Sequence, residues 1–279
     1  MVAEIQDIAE NFASYTIENA PHLDTEDNLR YYFAGSIATM LTCNAVSIED
    51  TASEKEKISV NDEDRKFLQK YFPRQTGDID VITIKENDTM YCLASKKGSL
   101  SSRSIMESVP NAGEFCKQFS GNFYGYCWDD LSDEHKITHK ISKITTERGN
   151  SFYVTRPDYQ LANKICEVAI LNFKDNEKNQ KNIRDISIMF SVFSKMYSNE
   201  ELLDALSVCL KDREENKDIA QGQSAKACFR KIAPKMKKYL TENIPSSEKH
   251  IERIQNMLNY IEKPINKTVG QKTFLTIVR

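Results

Sequence analysis

The chain has 279 residues, of which 40% are hydrophobic and 28% are charged. This composition is typical of a globular protein that folds in water, and it excludes a disordered or fibrous chain. The net charge of −3 excludes a protein that is basic throughout and binds nucleic acid by bulk charge alone. Residues 1–80 carry 16 acids and 7 bases, so the rest of the chain is net positive, and a local basic surface remains open.

The first residues and the cysteines of the chain indicate the cellular compartment in which the protein is expected. The first ten residues contain three acids and no base, so we expect no secretory signal. No segment approaches the ~18 consecutive apolar residues of a membrane helix, which predicts a cytoplasmic protein. The seven cysteines include no C-x-x-C pair and are predicted to be reduced and mostly packed. Zinc bound by Cys116, Cys127, His135 and His139 is the alternative.

The first half of the chain is predicted to mix strands and helices. An amphipathic helix is expected over 3–18, followed by a strand, Gly35-Ser36 and a helix within 30–41. Residues 45–70 are largely polar, which indicates a surface insertion that loops out from the core, with a helix at 62–71 capped by Asn61. Later strands are predicted at 78–84, 89–94, 137–146 and 152–154, the last two joined by a hairpin turn at 147–150.

The second half is predicted to be helical. Thr155 and Asp158 resemble a capping box at the start of this region, and a helix break is expected near Pro234. The pattern predicts an α+β protein, with a mixed sheet and flanking helices in a domain at 1–155 and a helical bundle at 156–279. The five helices are expected at 157–172, 178–197, 199–215, 222–242 and 246–262.

Two carboxylates, Asp78 and Asp80, stand at the start of a predicted strand. Side chains two residues apart on a strand point to the same face, so both can converge on one site. Two carboxylates and the oxygens of a triphosphate suit Mg²⁺, which prefers oxygen ligands. A solvated turn is the alternative interpretation.

Gly35-Ser36 lies between a predicted strand and a predicted helix. Glycine allows the backbone to approach a phosphate closely, and the serine hydroxyl and the helix-start N–H groups can bind it. A tight turn that needs a small residue is the alternative. A phosphate cradle on one unit and paired carboxylates on the next predicted strand together indicate a nucleotidyltransferase site.

Lys164 and Asp185 are charges among apolar positions of predicted helices. Lys164 falls beside the stripe of Leu161, Ile165 and Val168, where a charge is expensive unless something compensates it. A triphosphate would do so, whereas a stem that reaches past the stripe to solvent is the alternative. Asp185 could pair with Lys181, or orient a basic residue or an acceptor.

With these motifs the chain resembles the minimal nucleotidyltransferase superfamily, specifically the AbiEii-like and MenT-like toxin nucleotidyltransferases. The resemblance implies transfer of a nucleoside monophosphate from an NTP, with Mg²⁺ or Mn²⁺ held by Asp78 and Asp80. It implies nucleotide binding by Gly35, Ser36, Arg74, Thr76 and Lys164, and a catalytic site that contains Asp78, Asp80, Lys164 and Asp185. The matching segments, in family order, are 33–36, 74–81, 157–164 and 181–186.

The toxin resemblance also implies an acceptor and a partner. They are RNA, such as the 3′ end of tRNA, and a cognate antitoxin in a toxin-antitoxin or phage-defence pair. Two features depart from the family pattern: the interval from Gly35-Ser36 to Asp78 is long, and no third carboxylate is visible, Glu147 being a poor candidate. A nucleotidyltransferase that modifies a protein side chain and a non-catalytic nucleotide- or RNA-binding module therefore remain alternatives.

One segment independently favours an RNA acceptor. Six bases and no acid occur in 226–238, and with Lys96, Lys97 and Arg103 they predict a surface that follows a phosphate backbone. An ordinary solvated helix face is the alternative. The base preferred among ATP, CTP, GTP and UTP has no signature in the sequence.

Overall fold

The computed structural model describes nine segments of the chain. They are 10–11, 13–14, 31–50, 57–72, 78–83, 124–126, 141–170, 176–215 and 223–263, and of these 78–83 and 124–126 are described by their backbone only. The architecture is α+β, with a mixed sheet followed along the chain by helices. The predicted fold class is confirmed. The predicted helix over 3–18, except for the helical residues at 10–11 and 13–14, and the predicted strand at 89–94 lie outside these segments.

Within these segments, seven strands form one sheet in the order β3-β2-β6-β7-β1-β4-β5. The β1–β7 and β4–β5 pairs are parallel, and the other pairs are antiparallel. The hairpin between β6 and β7 turns at Gly149, whose φ of 83° is one that glycine adopts readily. The strands are β1 Tyr31–Ala34, β2 Ala45–Asp50, β3 Ile58–Ser59, β4 Asp78–Thr83, β5 Tyr124–Tyr126, β6 Ile141–Thr146 and β7 Ser151–Thr155.

The helices confirm the predicted order of the second half of the chain. The expected break near Pro234 is wrong, because α6 continues through this residue. Pro234 is exposed there, which keeps its ring away from the packed face of the helix. The helices are α1 Gly35–Cys43, α2 Asp62–Tyr71, α3 Pro157–Ile170, α4 Asn176–Met196, α5 Asn199–Glu215, α6 Ala225–Asn243 and α7 Glu248–Glu262.

The prediction that residues 45–70 loop out from the core is wrong. β2 lies inside the sheet between β3 and β6, and its Ile48 is 1% exposed. The polar composition of this segment predicted exposure, but a polar side chain of β2 finds a partner inside the sheet: Ser142 Oγ donates to Asp50 Oδ1 at 2.6 Å. The predicted helix and its cap are confirmed, since the Asn61 side chain accepts a hydrogen bond from the Asp64 N–H at 2.9 Å.

The helices and the sheet share one hydrophobic core. Buried residues of this core run from Phe33 in β1 to Ile261 in α7, and α1 packs against both the sheet and α3. The division into domains at residue 155 therefore stays a prediction. Within the described segments, no helix is long and apolar enough to span a membrane.

The cysteines that the structure describes are free and buried, as predicted. They are Cys43, Cys166, Cys209 and Cys228. The residues of the alternative zinc site lie outside the described segments.

Candidate functional site

Gly35-Ser36 and the two predicted metal ligands meet at one edge of the sheet. In the antiparallel β1–β4 pair, Ala34 is the direct partner of Asp80. Directly paired Cα atoms in such a ladder are about 4.5–5.5 Å apart. Because Gly35 follows Ala34, the helix start and the β4 segment from Asp78 to Asp80 are neighbours in space, although more than 40 residues separate them along the chain.

The start of α1 has features that suit an anion. Gly35 has a φ of 57°, in the left-handed region that side chains with a Cβ rarely adopt. The first turn carries no acid, and its N-cap residue, Ala34, has no polar side chain that could cap the N–H groups. Gly35 is exposed and Ser36 is half-buried. A helix start with these features presents backbone donors and the positive end of the helix dipole.

The metal side of the site is defined by the backbone register. On the neighbouring strand β5, the residues paired with Asp78 and Asp80 are Tyr124 and Tyr126, so neither position supplies a third carboxylate. Arg74 and Thr76 lie outside the described segments. Among the side chains that the structure describes, no group of three His, Cys, Asp or Glu residues is placed to hold a metal ion.

Glu147 lies at the opposite end of the sheet from this edge. β7 runs parallel to β1 and β6 antiparallel to β7, so β6 starts at the edge where β1 ends and Glu147 follows its other end. There its carboxylate pairs with Arg65 at 2.6 Å. The topology removes Glu147 as a third metal ligand.

Lys164 and Asp185 form a buried ion pair between α3 and α4. Lys164 Nζ donates to Asp185 Oδ2 at 3.0 Å, and the two side chains are 12% and 0% exposed. The charge of Lys164, which the sequence places beside an apolar stripe, is thus compensated by a carboxylate from another helix. This contact is of the kind we expected for Asp185, while contact of either residue with a substrate stays a prediction.

The ion pair lies near the far end of α1 from Gly35. The Gln160 amide donates to the Thr42 hydroxyl at 3.2 Å, so α3 contacts the end of α1 one turn before Lys164. Burial raises the pKa of the Cys43 thiol, the last residue of α1, and the negative charge of Asp185 raises it further. This nine-residue helix is about 12 Å from its first to its last Cα. The candidate residues therefore form two groups, one at each end of α1.

Arg184 connects the ion pair to the chain that enters the β4 strand. Its guanidinium donates to the carbonyl oxygen of Tyr71 at 2.8 Å and reaches that of Phe72 at 3.5 Å. Six residues later the chain reaches Asp78. The sequence analysis missed this role of Arg184, and its position beside Asp185 was the one signal for it.

A second buried cluster lies at the same sheet edge, and the sequence analysis missed it too. Arg156, directly after β7, binds both carboxylate oxygens of Asp158 at 2.8 and 2.6 Å, and lies 3.6 Å from Asp50 Oδ2. Burial raises the pKa of Asp158, and Arg156 opposes this shift. The predicted capping box is wrong, because α3 begins at Pro157 and its N-cap residue is therefore Arg156. The Thr155 hydroxyl instead donates across the sheet to the Phe33 carbonyl at 3.3 Å. These contacts fix the ends of β7 and β1 beside Gly35.

Comparison with known proteins finds no matching family model, no similar curated protein and no similar solved structure. The two features of this chain that bear most directly on function are the paired ends of β1 and β4 and the ion pair between α3 and α4.

Proposed function

We propose that this protein is a metal-dependent nucleotidyltransferase. The observation that carries the proposal is the β1–β4 register, which pairs Ala34 with Asp80 and so sets Gly35-Ser36 beside the D-x-D strand. A nucleotidyl transfer requires a phosphate-binding backbone next to carboxylates that can hold a divalent cation. In this chain, the β1–β4 pairing sets a helix start that suits phosphate beside a strand that carries two carboxylate residues.

The donor set at β4 fits a hard cation. Asp78 and Asp80 would hold Mg²⁺ or Mn²⁺ through carboxylate oxygens, the ligands that such ions prefer. When bound, the cation supplies positive charge that offsets the charge of the triphosphate. The start of α1 would bind phosphate oxygens through Gly35, Ser36 and the N–H groups of its first turn. Arg74 and Thr76 are proposed to assist from the segment just before Asp78.

The proposed reaction joins an acceptor hydroxyl to the α-phosphorus of an NTP. The acceptor oxygen forms a bond to this phosphorus, the bond between the α-phosphorus and the β-bridging oxygen breaks, pyrophosphate leaves, and the hydroxyl proton passes to water. Lys164 adds positive charge, and Asp185 holds Lys164 in position. Since positioning and charge supply most of the catalysis, removing one metal ligand should abolish turnover without unfolding the protein.

The acceptor we favour is RNA, such as the 3′ end of tRNA, with the protein acting as the toxin of a toxin-antitoxin or phage-defence pair. The support is the resemblance of the motifs to toxin nucleotidyltransferases and the basic character of residues 226–238. A protein antitoxin is the partner that this role requires.

The test is to incubate the full chain with each of the four labelled NTPs, Mg²⁺ or Mn²⁺, and total RNA. We expect label in RNA, its loss on chelation of the metal, and its loss in Asp80→Asn. The matched control is Asp204→Asn, which removes the same charge from an exposed position of α5. An Asp80→Asn protein that still transfers label would refute the assignment. Label in protein would support a protein-modifying enzyme, and NTP binding without turnover a binding module.

A further inference from the structure

Helix α6 carries a dense row of positive charge on its solvent side. Its basic residues occur between 226 and 238, a span that contains no acid. We use the name basic ridge for Arg230, Lys231, Lys235, Lys237 and Lys238, all of them exposed or half-buried. Lys226 stands outside this set, because it borders a groove of about 700 Å³ that also contains the acids Glu200, Asp204 and Glu214.

The basic ridge flanks the outermost line of the helix. At 100° per residue, Arg230 and Lys237 lie on one side of this line and Lys231, Lys235 and Lys238 on the other. The line itself is formed by Ala227, Pro234 and Thr241, all exposed. Small and polar residues between two rows of bases leave the surface free of large apolar side chains.

The charges of the basic ridge are largely uncompensated. Lys231 donates to the carbonyl of Ala169, and Lys237 donates to the Gln255 amide oxygen at 2.6 Å, so both partners are neutral. Lys238 has one exposed carboxylate, Glu242, at 3.9 Å. Arg230 and Lys235 make no ion pair with any acid that the structure describes.

The basic ridge belongs to a helix that packs beside part of the candidate site. α6 packs against both α3 and α4, the two helices that carry Lys164 and Asp185. Lys231 of the ridge donates to the carbonyl of Ala169, one to two turns after Lys164 on α3.

We propose that the basic ridge binds the phosphate backbone of the RNA acceptor of the proposed transfer. This inference rests on the proposed function and names the surface that would serve it. From 230 to 238 the helix rises about 12 Å, and one strand of a duplex passes about three to four phosphates over that length. The ridge therefore carries at least one base for each of these phosphates.

The residues between the two rows favour nucleic acid over a membrane. Helices that bind lipid surfaces present Trp, Phe or Leu beside their bases, whereas the outermost residues here are Ala227, Pro234 and Thr241. Uncompensated bases without an apolar centre are typical of contacts with a phosphate backbone.

The experiment measures binding of a labelled tRNA mixture to the full chain, without NTP, at several salt concentrations. For the wild type we expect affinity to fall linearly with salt on a log–log plot. For Arg230→Gln/Lys235→Gln we expect a slope smaller by about 1.5, and an affinity roughly tenfold lower near 0.1 M salt. In the transfer assay this variant should raise the KM for RNA and leave the KM for NTP unchanged.

The control is Lys66→Gln/Lys143→Gln, which removes two exposed charges from α2 and β6. It should bind RNA within about twofold of the wild type. Equal loss in both variants, an unchanged salt slope, or binding to anionic vesicles but not to RNA would overturn the inference. Failure of the proposed function would give a different result: RNA binding would still depend on the basic ridge, but no label would be transferred.

If instead label were transferred and the ridge variant had an unchanged KM for RNA, the proposed role of the basic ridge would be rejected and the proposed nucleotidyl transfer would stand.

Discussion

At the scale of single residues, the Lys164–Asp185 pair is the most constrained charge contact of the candidate site. Asp185 is fully buried and Lys164 nearly so. A buried ion pair contributes little net stability over apolar residues of similar volume, but removing one partner leaves a buried charge that has lost its compensation. The pair is thus costly to break and adds little to stability, as expected of a contact kept for function.

The first prediction separates stability from function at this pair. Lys164→Met should lower the free energy of unfolding by about 3 kcal/mol, because the Asp185 carboxylate loses its counter-charge. Lys164→Met/Asp185→Leu should recover most of that loss, since no buried charge remains. Urea unfolding measures both. Neither variant should transfer nucleotide at the wild-type rate, and an Asp185→Ala protein with unchanged turnover would remove this aspartate from the site.

His250 is a buried residue at the contact between α2 and α7. Its ring stacks on Phe67 with centroids 4.6 Å apart, and its Nδ1 has no hydrogen-bond partner within the described segments. Burial lowers its pKa to about 4, assisted by the positive charges of Arg253, Lys249 and Lys195. The imidazole therefore stays neutral in the folded protein at neutral pH.

The second prediction follows from that lowered pKa. Between pH 6.5 and about 4 the unfolded chain binds a proton that folded His250 does not, so stability is complete above this window and falls as the pH is lowered through it. The loss should reach about 3 kcal/mol at most. His250→Phe keeps the ring stack and removes the titration, so its unfolding free energy should depend less steeply on pH. Parallel curves for the two proteins would contradict this.

Some candidate site residues could be predicted from the sequence, whereas the contacts between them could not. The sequence alone identified two pairs of candidate site residues, Asp78 with Asp80 and Gly35 with Ser36. Each pair is contiguous or nearly so and belongs to a local strand or turn pattern. Lys164 was identifiable as a charge beside an apolar stripe. Asp185 was also named as a candidate, but its pairing with Lys164 was not predicted, because pairing between two helices depends on how they pack, which local periodicity does not encode.

At the scale of elements, α6 combines a basic outer face with an interior proline. Pro234 lacks the N–H that would bond to the carbonyl of Arg230, and a proline inside a helix costs about 3 kcal/mol relative to alanine. The helix nevertheless continues through this position. Packing of its buried face, which includes Phe229, Ile232 and Met236, offsets the cost.

The third prediction concerns this proline. Pro234→Ala should raise the free energy of unfolding by about 2 kcal/mol, the helix gain being reduced by the greater entropy of the unfolded chain. Thermal or urea unfolding measures the change. RNA affinity should stay within about twofold of the wild type, because the residue carries no charge. A destabilised variant would mean that the proline supports a bend that the fold needs.

Elements differ in how far the sequence predicted them. The helices after residue 157 were identifiable from apolar periodicity that continues over several turns. Strand β2 was not, because it buries the polar Ser47 and places Asp50 within hydrogen-bonding distance of Ser142 inside the sheet. A strand whose buried face is partly polar has no alternating pattern, and only its pairing with β3 and β6 reveals it.

At the scale of the whole molecule, the sheet and the helices after it bury their apolar faces against each other. The core is continuous from β1 through α1 and α3 to α7. α1 lies between the sheet on one side and α3 on the other, so separating the two halves would expose it. The Gly35 end and the Lys164–Asp185 end of the candidate site are joined through this one helix.

The fourth prediction is that the two halves of the described fold unfold together. Urea unfolding followed by far-ultraviolet circular dichroism and by the fluorescence of Trp128, the one tryptophan of the chain, should give coincident single transitions. The calorimetric and van't Hoff enthalpies should agree for the same reason. Two independent domains would instead give two transitions, and a fragment of residues 1–155 would then unfold cooperatively by itself. We expect that fragment to lack a cooperative transition, because it loses the helices that cover α1.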